Sequence, residues 1–191
     1  AAGLEPEGAP AHYTERLILL PQFGVCYEPI DTAGTLPDLG AMGLAPETPL
    51  MLCPGMPFKY TPDCDNMWVD IARRTGSARL VYFRPENSDL TERFELRLRK
   101  AFLARGVPFD EHVSFIPFLS RAHFFGLMKH AKLFLDSPGF SGFNTVMQAM
   151  ECGLPVVTFD GAYLRGRLGS GILRRIGMDS LIANSNEAYA D

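Results

Sequence analysis

A lysine, two arginines, several aromatic rings and a small-residue run at a helix start are the groups in this chain that could do chemistry. Lys59 follows Phe58 in the turn PGMPFKY, Arg84 closes the apolar run RLVYF, and Arg121 follows a Pro117-Phe118 turn. Gly142-Phe143-Asn144-Thr145 opens the stretch GFNTVMQAME. The first amides of a helix lack intrahelical partners, and the helix dipole adds partial positive charge at the same end. Amides around Phe143, Asn144 and Thr145 would therefore hold an anion. Lys59 would neutralise phosphate beside them, and an aromatic ring such as Phe124 would stack a base. Gln148, one turn after Asn144, would reach a ribose hydroxyl. A single loop lysine is ordinarily just solvated; the joint placement is what suits a nucleoside diphosphate.

Other chemistries find less support. GFSGFN contains no GxGxxG and no Walker lysine follows it, so the usual dinucleotide and P-loop fingerprints are missing. Asp63-Cys64-Asp65 has the form of a metal-holding DxD, but it falls just after Pro62 in the first turn of an expected helix, where acids favour the dipole. Four widely spaced cysteines make no CxxC pair and the histidines show no ligand spacing, so reduced thiols and no metal are expected. Arg165 and Arg167 stand at another expected helix start, where cations are disfavoured, so each should meet an anion or an acidic neighbour.

The elements that must position these groups alternate. Residues 50–53, 79–83, 113–116, 133–135 and a run from 156 are short and apolar, as strands covered on both faces should be. Between them, 62–75, 90–105, 121–130 and 143–152 carry helical spacing, and a further helix is expected over 164–176, with another starting near Asn186. Gly153 ends the fourth helix and Pro155 forbids its continuation. Strand and helix in alternation predict a Rossmann-like parallel α/β sheet of five strands with helices on both faces, its ligand beyond the strands' carboxyl ends. Residues 1–48 read as a linker or strap from an upstream lobe, with a strand at 23–27 and a helical turn or two at 38–44. Residues 49–191 read as the nucleotide-binding domain.

The chain has 191 residues, 47% hydrophobic and 21% charged, enough for a real core. A net charge of -4 gives no support for nucleic acid or an anionic membrane as partner. No apolar run approaches the ~20 residues that span a bilayer, and the N-terminus lacks a signal-peptide pattern. A cytoplasmic chain is the expectation.

HYTERLILLPQFGVCYEP, PFKYTPD, the Pro117-Phe118 turn, LDSPGFSGFNTVMQAMECGLPVV and RGRLGSGIL together resemble the C-terminal catalytic lobe of the O-GlcNAc transferase and SPINDLY group, glycosyltransferase family 41. The likeness runs from about His12 to Tyr189. It implies one lobe of a GT-B fold, holding a nucleotide sugar (a UDP-sugar in this group) with no essential metal, preceded by an N-terminal lobe and often by tetratricopeptide repeats. By this resemblance Lys59 contacts the donor diphosphate and stabilises the leaving group. Phe143, Asn144 and Thr145 grip the phosphates, Phe124 stacks on the base, and Arg121 lies near the nucleotide. Gln148 stands where the family has a ribose-binding Asp, and Phe143-Asn144 replace the usual His-Thr or Thr-Thr, so base and sugar stay open. The implied reaction transfers a sugar to a hydroxyl acceptor, with the general base on the N-terminal lobe, so the isolated fragment should not turn over. The rival readings are a non-catalytic nucleotide-binding module and a partner-binding module with a vestigial crevice.

Overall fold

A computed structural model describes residues 2–31, 33–85 and 89–191. Six strands form one sheet, all parallel, in the order β3-β2-β1-β4-β5-β6. They are β1 (Leu50–Cys53), β2 (Arg79–Arg84), β3 (Val113–Pro117), β4 (Leu133–Leu135), β5 (Val156–Phe159) and β6 (Ile182–Ala183). The helices are α1 (Asp65–Thr75), α2 (Asp89–Ala104), α3 (Phe109–His112), α4 (Arg121–His130), α5 (Asn144–Glu151), α6 (Leu168–Arg175) and α7 (Asn186–Ala190). The order reverses between β1 and β4, and that switch point is where open α/β sheets bind ligands.

Alternate side chains of the strands feed two cores. Met51, Cys53, Leu80, Tyr82 and Leu135 join Trp68 of α1, Phe94, Leu98 and Phe102 of α2 and Tyr189 of α7. Leu50, Leu52, Val81, Phe83, Phe134 and Val156 join Phe125 and Met128 of α4, Val146 of α5 and Ile172 of α6. The period of two in a strand produces this division, and burial of both sets explains why the strands read as unbroken apolar runs.

Four details differ from the sequence expectation. The sixth strand, β6, has two residues, too few to show any period, and is held by pairing Thr158 with Ile182 and Phe159 with Ala183. No strand forms at 23–27: Gln22 and Gly24 take positive φ (54° and 69°), which an extended chain cannot accommodate. The helix expected over 164–176 is a 3₁₀ turn, Leu164–Gly166, followed by α6, with Arg167 at φ -119° between them. Likewise Pro62–Cys64 is a 3₁₀ turn ahead of α1.

The segment read as a linker is docked along part of its length. Leu4 and Ala9 are buried, and Leu39 and Leu44 enter the second core. Thr35 N donates to Ala122 O at 3.0 Å, and a Cβ on Gly126 would fall on the Thr35 carbonyl. Glycine at 126 is what lets the strap cross α4 so closely.

Candidate functional site

Two clefts meet along the carboxyl edge of the sheet. One, about 320 Å³, is walled by Pro54, Phe83, Phe118, Arg121, Phe124 and Gln148. The other, about 250 Å³, is walled by Gly55, Lys59, Asp136, Ser137, Gly142 and Thr145. Pro54, Phe118 and Thr145 line both, so they form one trough with an aromatic end and a lysine end.

The lysine end is set by the turns after β1 and β4. Pro57–Lys59 is a 3₁₀ turn that lifts Lys59 over the sheet edge. Its Nζ donates to Ser141 O at 3.4 Å and lies 4.5 Å from the centroid of the Phe140 ring. Half-burial pushes the Lys59 pKa down, and the nearby Asp136 carboxylate opposes that shift. Opposite the lysine, α5 begins at Asn144 with Phe143 as its N-cap and no side-chain cap. The amides of Phe143, Asn144 and Thr145 have no hydrogen-bond partner among the described residues. The Thr145 hydroxyl folds over Gly142, where any Cβ would collide with it.

Asp136 lies behind this surface. It is 2% exposed, and Oδ1 accepts from Ser137 N (3.0 Å) and Gly142 N (2.8 Å). Oδ2 accepts from Thr158 Oγ1 (2.7 Å) and from the Ser141 hydroxyl, which in turn accepts from Gly169 N (2.7 Å). Burial pushes this carboxyl's pKa up, and the four donors pull it back. Three of its four donors lie across the loop or on β5, so no local spacing in the sequence signals it.

At the aromatic end, α4 starts from the Ser120 cap, whose hydroxyl accepts from His123 N at 3.3 Å. That start aims Arg121 and Phe124 at the cleft. Phe125 turns into the core, while Phe124 is half-buried and meets the Phe83 ring edge-on at 5.6 Å. One of two adjacent phenylalanines thus faces the crevice. Gln148 lines this same end, on the α5 face toward the rings.

Not every anticipated residue arrives. Arg84 pairs with Pro117 in the β2–β3 register, but its guanidinium is taken by Glu95 of α2 and lies over the Phe115 ring. Neither Arg84 nor Pro117 lines the trough. Phe58 is exposed beside it, its ring 5.8 Å from that of Phe140. Phe143 packs its ring edge-on against Phe23 of the strap at 5.9 Å and offers the cleft only its amide. Asp65, from the DxD triplet, is held by Arg97 Nε at 2.7 Å. Among the described residues no three His, Cys, Asp or Glu side chains converge on a metal position. Arg167 meets Asp160 at 3.0 Å, the acidic neighbour its placement required, while Arg165 lies over the Tyr163 ring.

The sequence model of glycosyl transferase family 41 matches residues 43–191. A protein of Solanum lycopersicum described as a probable UDP-N-acetylglucosamine–peptide N-acetylglucosaminyltransferase SPINDLY is 24% identical over 193 residues. The match covers 98% of this chain and 20% of that protein, so the chain spans about a fifth of the curated relative's length. A solved O-GlcNAc transferase of Thermobaculum terrenum (a K341M mutant) superposes with a TM-score of 0.79 and 28% identity, covering 99% of this chain and 35% of that one. A pneumococcal O-GlcNAc transferase solved with UDP and GlcNAc shares the fold, with a TM-score of 0.52, 15% identity, and 74% and 27% of the two chains covered.

Proposed function

The chain belongs to glycosyl transferase family 41, and on that premise we propose that its trough binds a nucleotide sugar, a UDP-sugar, for transfer to a hydroxyl acceptor such as a protein Ser or Thr. The observation that carries this reading is Lys59: its ammonium reaches the loop before α5 and shares a cleft with Gly142 and Thr145. A diphosphate in that space would meet a cation on one side and the three unpartnered amides on the other. The base would stack on Phe124 and Phe118 at the aromatic end, with Arg121 at its edge and Gln148 at the ribose. These residues span the two ends of one trough, as a nucleoside diphosphate must.

In the reaction, the acceptor oxygen forms a bond to the anomeric carbon as the bond to the diphosphate oxygen breaks. Charge then grows on the leaving phosphate. Lys59 and the α5 amides are already aimed at it, so they stabilise the transition state more than the ground state. No metal is required for that role. The base that takes the acceptor proton belongs to an N-terminal lobe, and Ile18, Leu19, Leu20 and Val25, all exposed, give such a lobe an apolar face to cover.

Calorimetric titration with UDP, uridine, GDP and the nucleotide sugars, repeated on Lys59→Ala, tests the reading. UDP should bind more tightly than uridine, and the variant should lose that advantage. Equal binding of UDP by both proteins, or none by the wild type, contradicts the donor site.

A further inference from the structure

We propose that Asp136 is the positioning residue of the phosphate end: its buried carboxylate fastens the 137–142 loop so that the first amides of α5 and the ammonium of Lys59 face the same space. The proposal rests on the donor-site reading above and adds to it the residue that builds the site from behind.

A carboxylate is a costly group to bury, and none of the cations among the described residues forms an ion pair with it. Its surroundings are made for an acceptor. Two amides point at Oδ1 and two hydroxyls at Oδ2. An ionised carboxylate accepts all four, whereas an amide side chain has one acceptor oxygen and would turn its NH₂ toward the hydroxyls. The bond from Gly142 N matters most for function. Gly142 is the residue just before the three unpartnered amides, so anchoring its N–H inward fixes the direction in which the next three point. Ser141 relays the anchor to Gly169 N of α6, Thr158 ties it to β5, and Tyr189 of α7 donates to the Asp136 carbonyl at 2.6 Å. The space is closed as well: a Cβ on Gly169 would lie 2.7 Å from Asp136 Oδ2. Thus β5, α6 and α7 hold one loop through one residue. The same negative charge sits behind Lys59 and favours its protonated form in an otherwise desolvating position.

Asp136→Asn keeps the size and removes two of the four acceptor places. The whole chain, wild type and variant, would be titrated with UDP, inorganic pyrophosphate and uridine, with uridine followed by NMR. A core variant on the opposite face, Val69→Ala, serves as a control of comparable destabilisation. The expected result is about tenfold weaker binding of UDP and pyrophosphate by Asp136→Asn, as for loss of a hydrogen bond to a charged group, with uridine binding unchanged. The control should keep all three affinities. If Asp136→Asn does not fold, Thr158→Val removes a single donor and should show the same split between UDP and uridine on a smaller scale. UDP affinity unaffected in these variants, or UDP and uridine weakened alike, overturns the positioning role while leaving the donor site standing. A wild-type chain that binds neither UDP nor pyrophosphate overturns both.

Discussion

At the aromatic end of the trough the walls are ring faces from β2, the β3 turn and α4, and Phe83 and Phe124 also pack against one another. At the lysine end the wall is largely main chain, bent into place by a buried carboxylate. The aromatic end resembles a piece of core left uncovered, so its affinity should scale with apolar area and tolerate adjustment. The lysine end works through fixed dipoles and one cation, so small displacements should be expensive there and charge should matter more than volume. On the proposed donor-site reading, binding strength and chemical acceleration fall to different ends of the same groove.

The sharpest way to break that contrast is at Lys59. Lys59→Ala should weaken UDP by about a hundredfold and slow transfer in the lobe-complete enzyme by ~10²–10³, as for loss of one oxyanion donor, with uridine binding untouched. Isothermal titration and initial rates check both. Gly126→Ala attacks the other end through its support: a methyl there collides with the Thr35 carbonyl, so the strap must lift from α4. A cost of about 1–3 kcal/mol in urea unfolding is expected, with the Arg121–Phe124 turn loosened. Phe124→Ala should weaken UDP and uridine equally, by about tenfold, since it removes stacking and leaves the phosphates alone.

Acidity separates the ends further. Burial lowers the Lys59 pKa below its ordinary 10.5, so the ammonium loses its proton at a lower pH than a solvated lysine. UDP affinity should therefore fall as pH rises toward the lysine range, and the fall should begin before a solvated lysine would titrate. The Lys59→Ala variant should lose the lysine's share of that fall. Arg84→Ala gives the smallest effect: its guanidinium is spent on Glu95 at a half-exposed position, so UDP binding should not change and stability should move by less than about 1 kcal/mol.

How much of this could be read from residues alone follows from range. The βαβ unit around residues 133–159 was legible because each signal was local: an apolar run, a small-residue turn, helical spacing, Gly153 and Pro155. Lys59 was legible because a turn after the first strand must open on the carboxyl edge. Arg84 was placed on the right edge but not in the right hands, since the acid that takes it is carried by α2 on a neighbouring layer. Phe143 was named for the site, and its amide faces the trough while its ring goes to the strap. Asp136 was invisible as a site residue: its donors come from positions 1, 5, 6 and 22 residues onward, joined only by the fold. The docking of residues 34–44 was missed for the same reason, because what fixes it is a glycine on α4, far along the chain.

The central claim is that a diphosphate sits on the first amides of α5, facing Lys59. Amide NMR spectra of the wild-type chain titrated with UDP and, separately, with uridine test it most directly. The account predicts that UDP shifts Phe143, Asn144 and Thr145 strongly while uridine shifts mainly the Phe118–Phe124 turn. UDP shifts that leave residues 143–145 unmoved, or that appear alike with uridine, would contradict it.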